Sequence, residues 1–249
     1  MKLRVITIDF WNTLYDSSNG LNRNAARQRS LINEIDKYER LIKQDEFETA
    51  MQASWEYFNN IWKNEHKTPS PKDTVQFFWK YLELPDDDEA VTNVASRFEE
   101  AILSSPPALN EGVKEALSEL STKFELAIIS DTGFSPGHTL RKVLQKDEIF
   151  DYFKAFSFSD ETGVSKPHKK AYEHILDHFA CEPSLALHIG DIERTDVVGA
   201  KNMGMHAIRY SGDKTATMAK ENPRITLADA EIDNWKGITD KIFEIAGKA

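Results

Sequence analysis

The chain has 249 residues, 40% of them hydrophobic and 29% charged, with a formal net charge of -10. That length allows one large domain or a domain with a smaller companion, and the acidic balance argues against nucleic acid or an anionic membrane surface as partner. The lone cysteine, Cys181, has no intramolecular disulfide partner, which fits a reducing cytoplasm. No apolar run approaches the ~18–20 residues of a membrane span, and Asp9 interrupts the apolar stretch where a secretory signal would lie.

In chain order, Leu3 to Ile8 is a short β-prone run that ends at Asp9. From about residue 20 to 104 the spacing turns helical. Leu31, Ile32, Ile35, Tyr38, Leu41 and Ile42 place a helix over Leu21 to Lys43, and Phe47, Met51, Trp55, Phe58, Ile61 and Trp62 carry the same period onward. A third helix follows Pro69 and Pro71, with Val75, Phe77, Phe78 and Trp79, and a fourth follows Pro85, with Val91, Val94, Phe98 and Ile102. The acidic run Asp86 to Glu89 is expected to cap that helix and stay in water, and the aromatics to form mostly the core of a bundle, one or two facing a crevice.

After Pro106 and Pro107 the pattern alternates. Helices are predicted at Val113–Leu120, Leu140–Leu144, Ala171–Phe179, Val197–Met203 and Trp235–Ala246. Strands are predicted at Glu125–Ile129, Phe153–Phe158, Leu185–Ile189 and Met205–Tyr210, with an edge strand at Ile232. Such alternation implies an α/β fold, a doubly wound parallel sheet with helices on both faces. The first strand must join it, so the expected organisation is an α/β core of residues 1–16 and 106–249 with an all-α insertion at 17–105.

Polar residues fall at four strand ends: Asp9, Ser130, Lys166 and the pair Asp191 and Asp196. In an open α/β sheet such ends face one crevice. A carboxylate can accept a phosphoryl group. The Ser130 hydroxyl and the backbone N–H groups of the turn Asp131-Thr132 can hold phosphate oxygens. Lys166 can neutralise anionic charge, and Asp9 with Asp191 suits Mg2+, which would also relieve the crowding of like charges. Each piece alone reads blandly, Asp9 as a turn residue, Ser130 as a helix cap and Lys166 as a loop lysine. Their joint order is what points to a site. None of the seven histidines has a convincing zinc spacing.

The segments Ile8-Asp9-Phe10-Trp11-Asn12-Thr13-Leu14, Ile129-Ser130-Asp131-Thr132-Gly133, Lys166-Pro167 and Gly190-Asp191-Ile192-Glu193-Arg194-Thr195-Asp196 resemble, in this order, those of the haloacid dehalogenase superfamily with an inserted helical cap. The resemblance implies a hydrolase with Asp9 as nucleophile, Thr13 and Ser130 positioning the transferring group, and Lys166 bridging the charges. Mg2+ would be held by Asp9, Asp191, the Trp11 carbonyl and Asp196, the last as a ligand or a residue behind the ligands. The substrate would be a small phosphorylated molecule.

Position 11 departs from the phosphatases of that superfamily, which carry a second Asp there as general acid and base. An indole has no titratable acid near neutral pH. Three readings stand at this point. The leaving group needs little protonation; or another group, such as Asp16, supplies the proton; or the chain cleaves a carbon–halogen or carbon–phosphorus bond instead. Dehalogenases carry an aromatic residue at this position and a tyrosine where Tyr172 stands, but they lack the carboxylate of Asp191, which favours phosphoryl chemistry. A member that binds a phosphorylated ligand or a protein without turnover is the non-enzymatic alternative.

Overall fold

The computed structural model describes residues 3–38, 40–214, 216 and 218–248. Val5–Ile8 (β1), Glu125–Ser130 (β2), Phe153–Phe158 (β3), Ala186–Gly190 (β4), His206–Tyr210 (β5) and Ala230–Ile232 (β6) form one sheet in the order β3-β2-β1-β4-β5-β6. Every pairing is parallel. β1 and β4 are buried along their whole lengths, as strands covered on both faces must be. One face packs Ile6, Ile8, Leu126 and Ile128 against Val113–Leu120 (α5), Gly137–Lys146 (α6) and Ile238–Lys248 (α10). The other packs Val5, Ala127 and Ile129 against Lys169–His178 (α8) and Val198–Asn202 (α9), while Ser159–Thr162 (α7) is a single turn after β3.

Between β1 and β2 lie Gly20–Ile35 (α1), Gln44–Glu65 (α2), Pro71–Tyr81 (α3) and Asp88–Ser104 (α4). They share a separate core of Leu31, Val75, Phe78, Trp79, Val94 and Phe98. Ser70 and Asp73 form a reciprocal capping box at the start of α3, with Pro71 in its first turn. Asp87 caps α4 by accepting from the Ala90 N–H at 2.9 Å, as the acidic run suggested.

Several helix boundaries differ from expectation, and two of the differences have a visible cause. The predicted helix over Leu21 to Lys43 ends at Ile35 and gives way to a 3-10 turn, Asp36–Tyr38. The Tyr38 hydroxyl donates to Asp87 at 2.7 Å, which turns the chain toward α2, and Leu41 is left exposed. The last helix begins at Ile238 rather than Trp235. Gly237 takes a positive φ of 72° just before it, and Trp235 is buried with its indole N–H donating to the Thr13 carbonyl at 3.1 Å. Among the described residues no helix is long and apolar enough to cross a membrane.

The chain leaves β1 to one side for β2 and β3 and to the other for β4, β5 and β6, so the switch in direction lies at β1. The crevice beyond the carboxyl ends of strands at such a point is where open sheets take ligands.

Candidate active site

Register brings the predicted residues together. Ile8 pairs with Ile128 of β2 and with Ile189 of β4, and the Asp9 N–H donates to the Ile189 carbonyl at 2.9 Å. Asp9, one residue past β1, therefore stands beside Asp191, one residue past β4. Lys166, from the loop before α8, reaches in from the β2 side. All three are buried, as is Asp196. The Lys166 ammonium donates to Asp9 Oδ1 and to Asp196 Oδ1, each at 2.6 Å. Carboxylate oxygens of Asp9, Asp191 and Asp196 lie within 4.8 Å of one another.

The three carboxylates are not equivalent. Asp196 Oδ1 also accepts from His188 Nε2 at 3.0 Å, while its Oδ2 accepts from the Ile192 N–H at 3.0 Å and the Thr195 hydroxyl at 3.1 Å. Both of its oxygens are thus occupied, which suits a residue behind the ligands better than a ligand. Burial alone would raise its pKa; Lys166 and His188 outweigh burial and hold it well below the ordinary carboxylate range. Asp9 is pushed up to about 6, by burial first, with Lys166 pulling down and Asp196 pushing up. Asp191 is raised well above its ordinary value by burial and then by Asp196 and Asp9. Its carboxylate takes one hydrogen bond, from Asn12 Nδ2 at 3.2 Å. Burial would lower Lys166, but Asp196, Asp9 and Asp131 outweigh it and hold the ammonium well above its usual range.

These residues fit a hard divalent cation: the donors are carboxylate oxygens, and the repulsion that raises Asp191 is what a cation relieves. The Thr13 hydroxyl is buried with no hydrogen-bond partner among the described residues, as expected of a group that meets a ligand. Gly190 lets the loop close over the site. A Cβ there would fall 2.3 Å from Cγ of Asp196.

The turn after β2 is held from two other parts of the chain. Thr132 does not present its N–H to a ligand; it donates to the Ser159 hydroxyl at 2.9 Å. The Asp131 carboxylate braces the site. Its Oδ2 accepts from the Trp62 indole N–H at 2.7 Å and its Oδ1 from the Lys166 N–H at 2.9 Å. A carboxylate aimed at phosphate would repel it, whereas here it ties α2 to the sheet. Ser130 is buried at the end of β2, beside Asp131 as expected.

The family description haloacid dehalogenase-like hydrolase matches residues 3–204. The chain belongs to the haloacid dehalogenase-like hydrolases. It is 32% identical to a glyceraldehyde 3-phosphate phosphatase of Pyrococcus furiosus over 111 residues, 44% of this chain and 45% of that protein. It is 32% identical to the pyrimidine 5'-nucleotidase YjjG of Escherichia coli over 127 residues, 44% of this chain and 55% of that one. The chain thus spans about half the length of these curated relatives. In fold it is similar to a 2-haloacid dehalogenase from Pseudomonas syringae, with a TM-score of 0.72 and 21% identity over 98% of this chain and 99% of that one.

Within this haloacid dehalogenase-like site, Trp11 is half-buried. Its ring meets Phe10 edge-on at 5.1 Å, and the Arg23 guanidinium of α1 lies 5.7 Å from its centre. It thereby joins the sheet to the inserted helices. Asp16 is committed elsewhere. Its Oδ1 accepts from the N–H and hydroxyl of Ser18 and from the Ala108 N–H, tying the two chain crossings together. Tyr172 lies beneath the site and donates its hydroxyl to the Thr195 carbonyl at 2.7 Å.

The sequence reading missed several residues. His188 sat in a predicted buried strand, where a polar side chain needs a partner; that was an available signal. Asn12 lay inside the quoted motif without a role. Asn222, which accepts from the Glu193 N–H at 2.8 Å and donates to the Asp191 carbonyl at 2.7 Å, gave no signal at all. Nor did Arg194, whose guanidinium stacks 4.7 Å from the centre of the Trp62 ring.

Proposed function

We propose that this protein is a Mg2+-dependent phosphatase that acts on a small phosphorylated metabolite through an aspartyl-phosphate on Asp9. The observation that carries the reading is charge. Three buried carboxylates share one ammonium, a set that calls for further positive charge before a phosphoryl dianion can enter. The names of the relatives, a sugar-phosphate phosphatase and a nucleotidase, agree.

In this reading Lys166 fixes one oxygen of Asp9, which leaves the other to attack phosphorus in line with the departing oxygen. The Ser130 and Thr13 hydroxyls and the Lys166 ammonium orient the phosphoryl oxygens. Asp9, Asp191 and the Trp11 carbonyl would hold Mg2+, with Asp196 keeping Lys166 in place. Bound there, the ion supplies electrostatic stabilisation of the charge on the transferring group. Residues 17–105 would serve as a cap on a core of residues 1–16 and 106–249, moving at the crossings near Ser18 and Ser105 to admit substrate and exclude water. A cytoplasmic location belongs to the same proposal, and the free, buried Cys181 is compatible with it.

A panel assay tests this. Phosphate release from activated and alkyl phosphates should depend on Mg2+ and stop in excess chelator. Halide release from 2-haloacids in chelator, with no phosphate release, would overturn the proposal. Trp11 adds a second check. Trp11→Asp is expected to raise turnover of alkyl esters such as glycerol phosphate by about 10–100-fold, part of the ~10²–10⁴ that a positioned acid contributes. A folded variant with no gain would show that position 11 is not where an acid is missing.

A further inference from the structure

α1 buries two arginines, of which Arg23 feels the nearby Asp16 carboxylate. Arg23 is 6% exposed and Arg27 8% exposed, and neither makes an ion pair among the described residues. Arg23 is satisfied by the Ser18 and Ser105 carbonyls at 2.8 and 3.0 Å. Arg27 uses Nε on the Phe98 carbonyl at 3.2 Å and Nη1 on Asn24 at 3.3 Å, and among the described residues its Nη2 makes no hydrogen bond. Burial, and then the neighbouring Arg23, push the Arg27 pKa down to about 10. A buried cation without an anion is costly and is kept where something compensates it.

Arg27 faces open space. It lines two adjoining cavities of about 320 and 400 Å³, whose shared walls are Asn24, Arg27, Trp55 and Phe134. The first is lined by Trp11, two residues past Asp9, and by the Asp131–Ser135 turn that follows Ser130. The second runs on into the helical insertion between Phe78, Phe98 and Met51. The walls are aromatic. Phe134 lies 5.3 Å from Phe58 and 5.6 Å from Phe98, centre to centre, and the Arg27 guanidinium lies 5.0 Å from its ring. Drug-sized ligands fill pockets of ~300–1,000 Å³, so a three-carbon phosphate would leave most of this space unused.

We propose that the helical side of this site is a specificity subsite for an anionic aromatic group: the substrate is a phosphate ester whose ring lies among Trp11, Trp55, Phe58 and Phe134 and whose far carboxylate pairs with Nη2 of Arg27. The inference rests on the phosphatase reading of Asp9. It also accounts for Trp11, because an aryl oxide leaves with less need of a proton than an alkoxide. Asp9 attacks phosphorus as the bond from phosphorus to the aryl oxygen breaks, and the aryl oxide takes its proton from water. A second water then cleaves the acyl phosphate, restoring the Asp9 carboxylate and releasing inorganic phosphate.

The test compares 4-carboxyphenyl phosphate with its neutral isostere, 4-carbamoylphenyl phosphate, in the presence of Mg2+. The wild type is expected to favour the carboxylate by about 10–100-fold in kcat/KM, the range for one charge-assisted hydrogen bond. Arg27→Met should bring the ratio close to one by raising KM for the carboxylate ester, with no loss of Tm, since it removes an unpaired buried cation. A wild-type ratio near one overturns the subsite and leaves the phosphatase standing. So does an Arg27→Met variant with a lowered Tm and an unchanged ratio, which would mark Arg27 as a strut between α1 and α4. A measurement without any variant serves if Arg27→Met does not fold: 4-hydroxybenzoate should inhibit competitively at least 10-fold better than phenol, and equal inhibition overturns the proposal. If neither ester nor acetyl phosphate is hydrolysed, it is the phosphatase reading itself that fails.

Discussion

Asp9→Asn is expected to abolish turnover while the protein stays folded. The amide keeps an oxygen for Lys166 but is no nucleophile, so phosphate release should fall by ~10⁴-fold or more, the scale of losing a covalent catalyst. Stability provides the control. In the metal-free wild type the folded pKa of Asp9 is raised to about 6 from an unfolded value near 3.8. Between those values the folded state holds the proton more firmly than the unfolded one. The stabilisation this gives is fully present below about pH 4 and is lost as pH rises through 6. Asn, which cannot ionise, is spared that loss. The metal-free variant should therefore be more stable than the metal-free wild type at pH 8, by up to about 3 kcal/mol, with the gain shrinking toward pH 5. Urea unfolding at the two pH values, beside a phosphate assay, checks both halves. Undiminished turnover would remove Asp9 from the nucleophile's place.

Lys166→Met carries the second large effect, and here the fold suffers with the chemistry. Among the described residues Lys166 is the one ammonium that contacts Asp9 and Asp196, at 2.6 Å from each. Removing one partner of a buried ion pair strands the other, at a cost of about 3–5 kcal/mol. Two stranded carboxylates, with Asp191 beside them, should bring the cost to the upper part of that range. Without the ammonium the folded carboxylates bind protons more tightly still, so the deficit should be largest at pH 8 and smaller at pH 5. Mg2+ should recover part of it by supplying positive charge to the same oxygens. Turnover should fall ~10²–10³-fold or more in whatever fraction folds, as when a preorganised stabilising group is lost. Wild-type stability at pH 8 in this variant would mean that the network around Asp196 is held by His188 and the backbone instead.

These expectations also explain why the two variants differ although the two residues touch. Asp9 is a destabilising charge that the site retains for its chemistry; Lys166 is the counter-charge that makes it tolerable. Strained or repulsive charge at functional positions is a general way in which stability and activity oppose each other.

Much of the architecture was legible in the residues because it depends on local periodicity. Apolar runs of four to six residues ending at Asp9, Ser130 and Gly190 could only be buried strands, and β1, β2 and β4 lie there. Four helical stretches between Leu21 and Ile102 became α1 to α4. Where periodicity ran across a break, at Asp36 to Lys43, the reading overshot, since a 3-10 turn and an exposed loop carry the same apolar letters as a helix end. The order of the four polar strand ends likewise pointed to one crevice, because parallel strands put their carboxyl ends on the same side.

What a linear reading could not supply is which partner each polar atom takes. It grouped Asp191 and Asp196 together, yet one has an almost free carboxylate and the other has both oxygens occupied by Lys166, His188, Ile192 and Thr195. It gave no sign that the Asp131 carboxylate would take the Trp62 indole N–H or that the Thr132 N–H would donate to Ser159. It passed over Arg27, because arginine on a helix normally lies on the surface, and only packing against α4 and Phe134 shows that this one is buried beside a cavity. The sequence by itself determined the sheet, the inserted helices and the gathering of acid and base at one edge, all of which follow from hydrophobic spacing and strand direction. The tertiary structure alone decided which charge is paired, which is crowded and which is left facing a cavity, because burial and hydrogen bonding are set by partners from one to nearly two hundred positions apart.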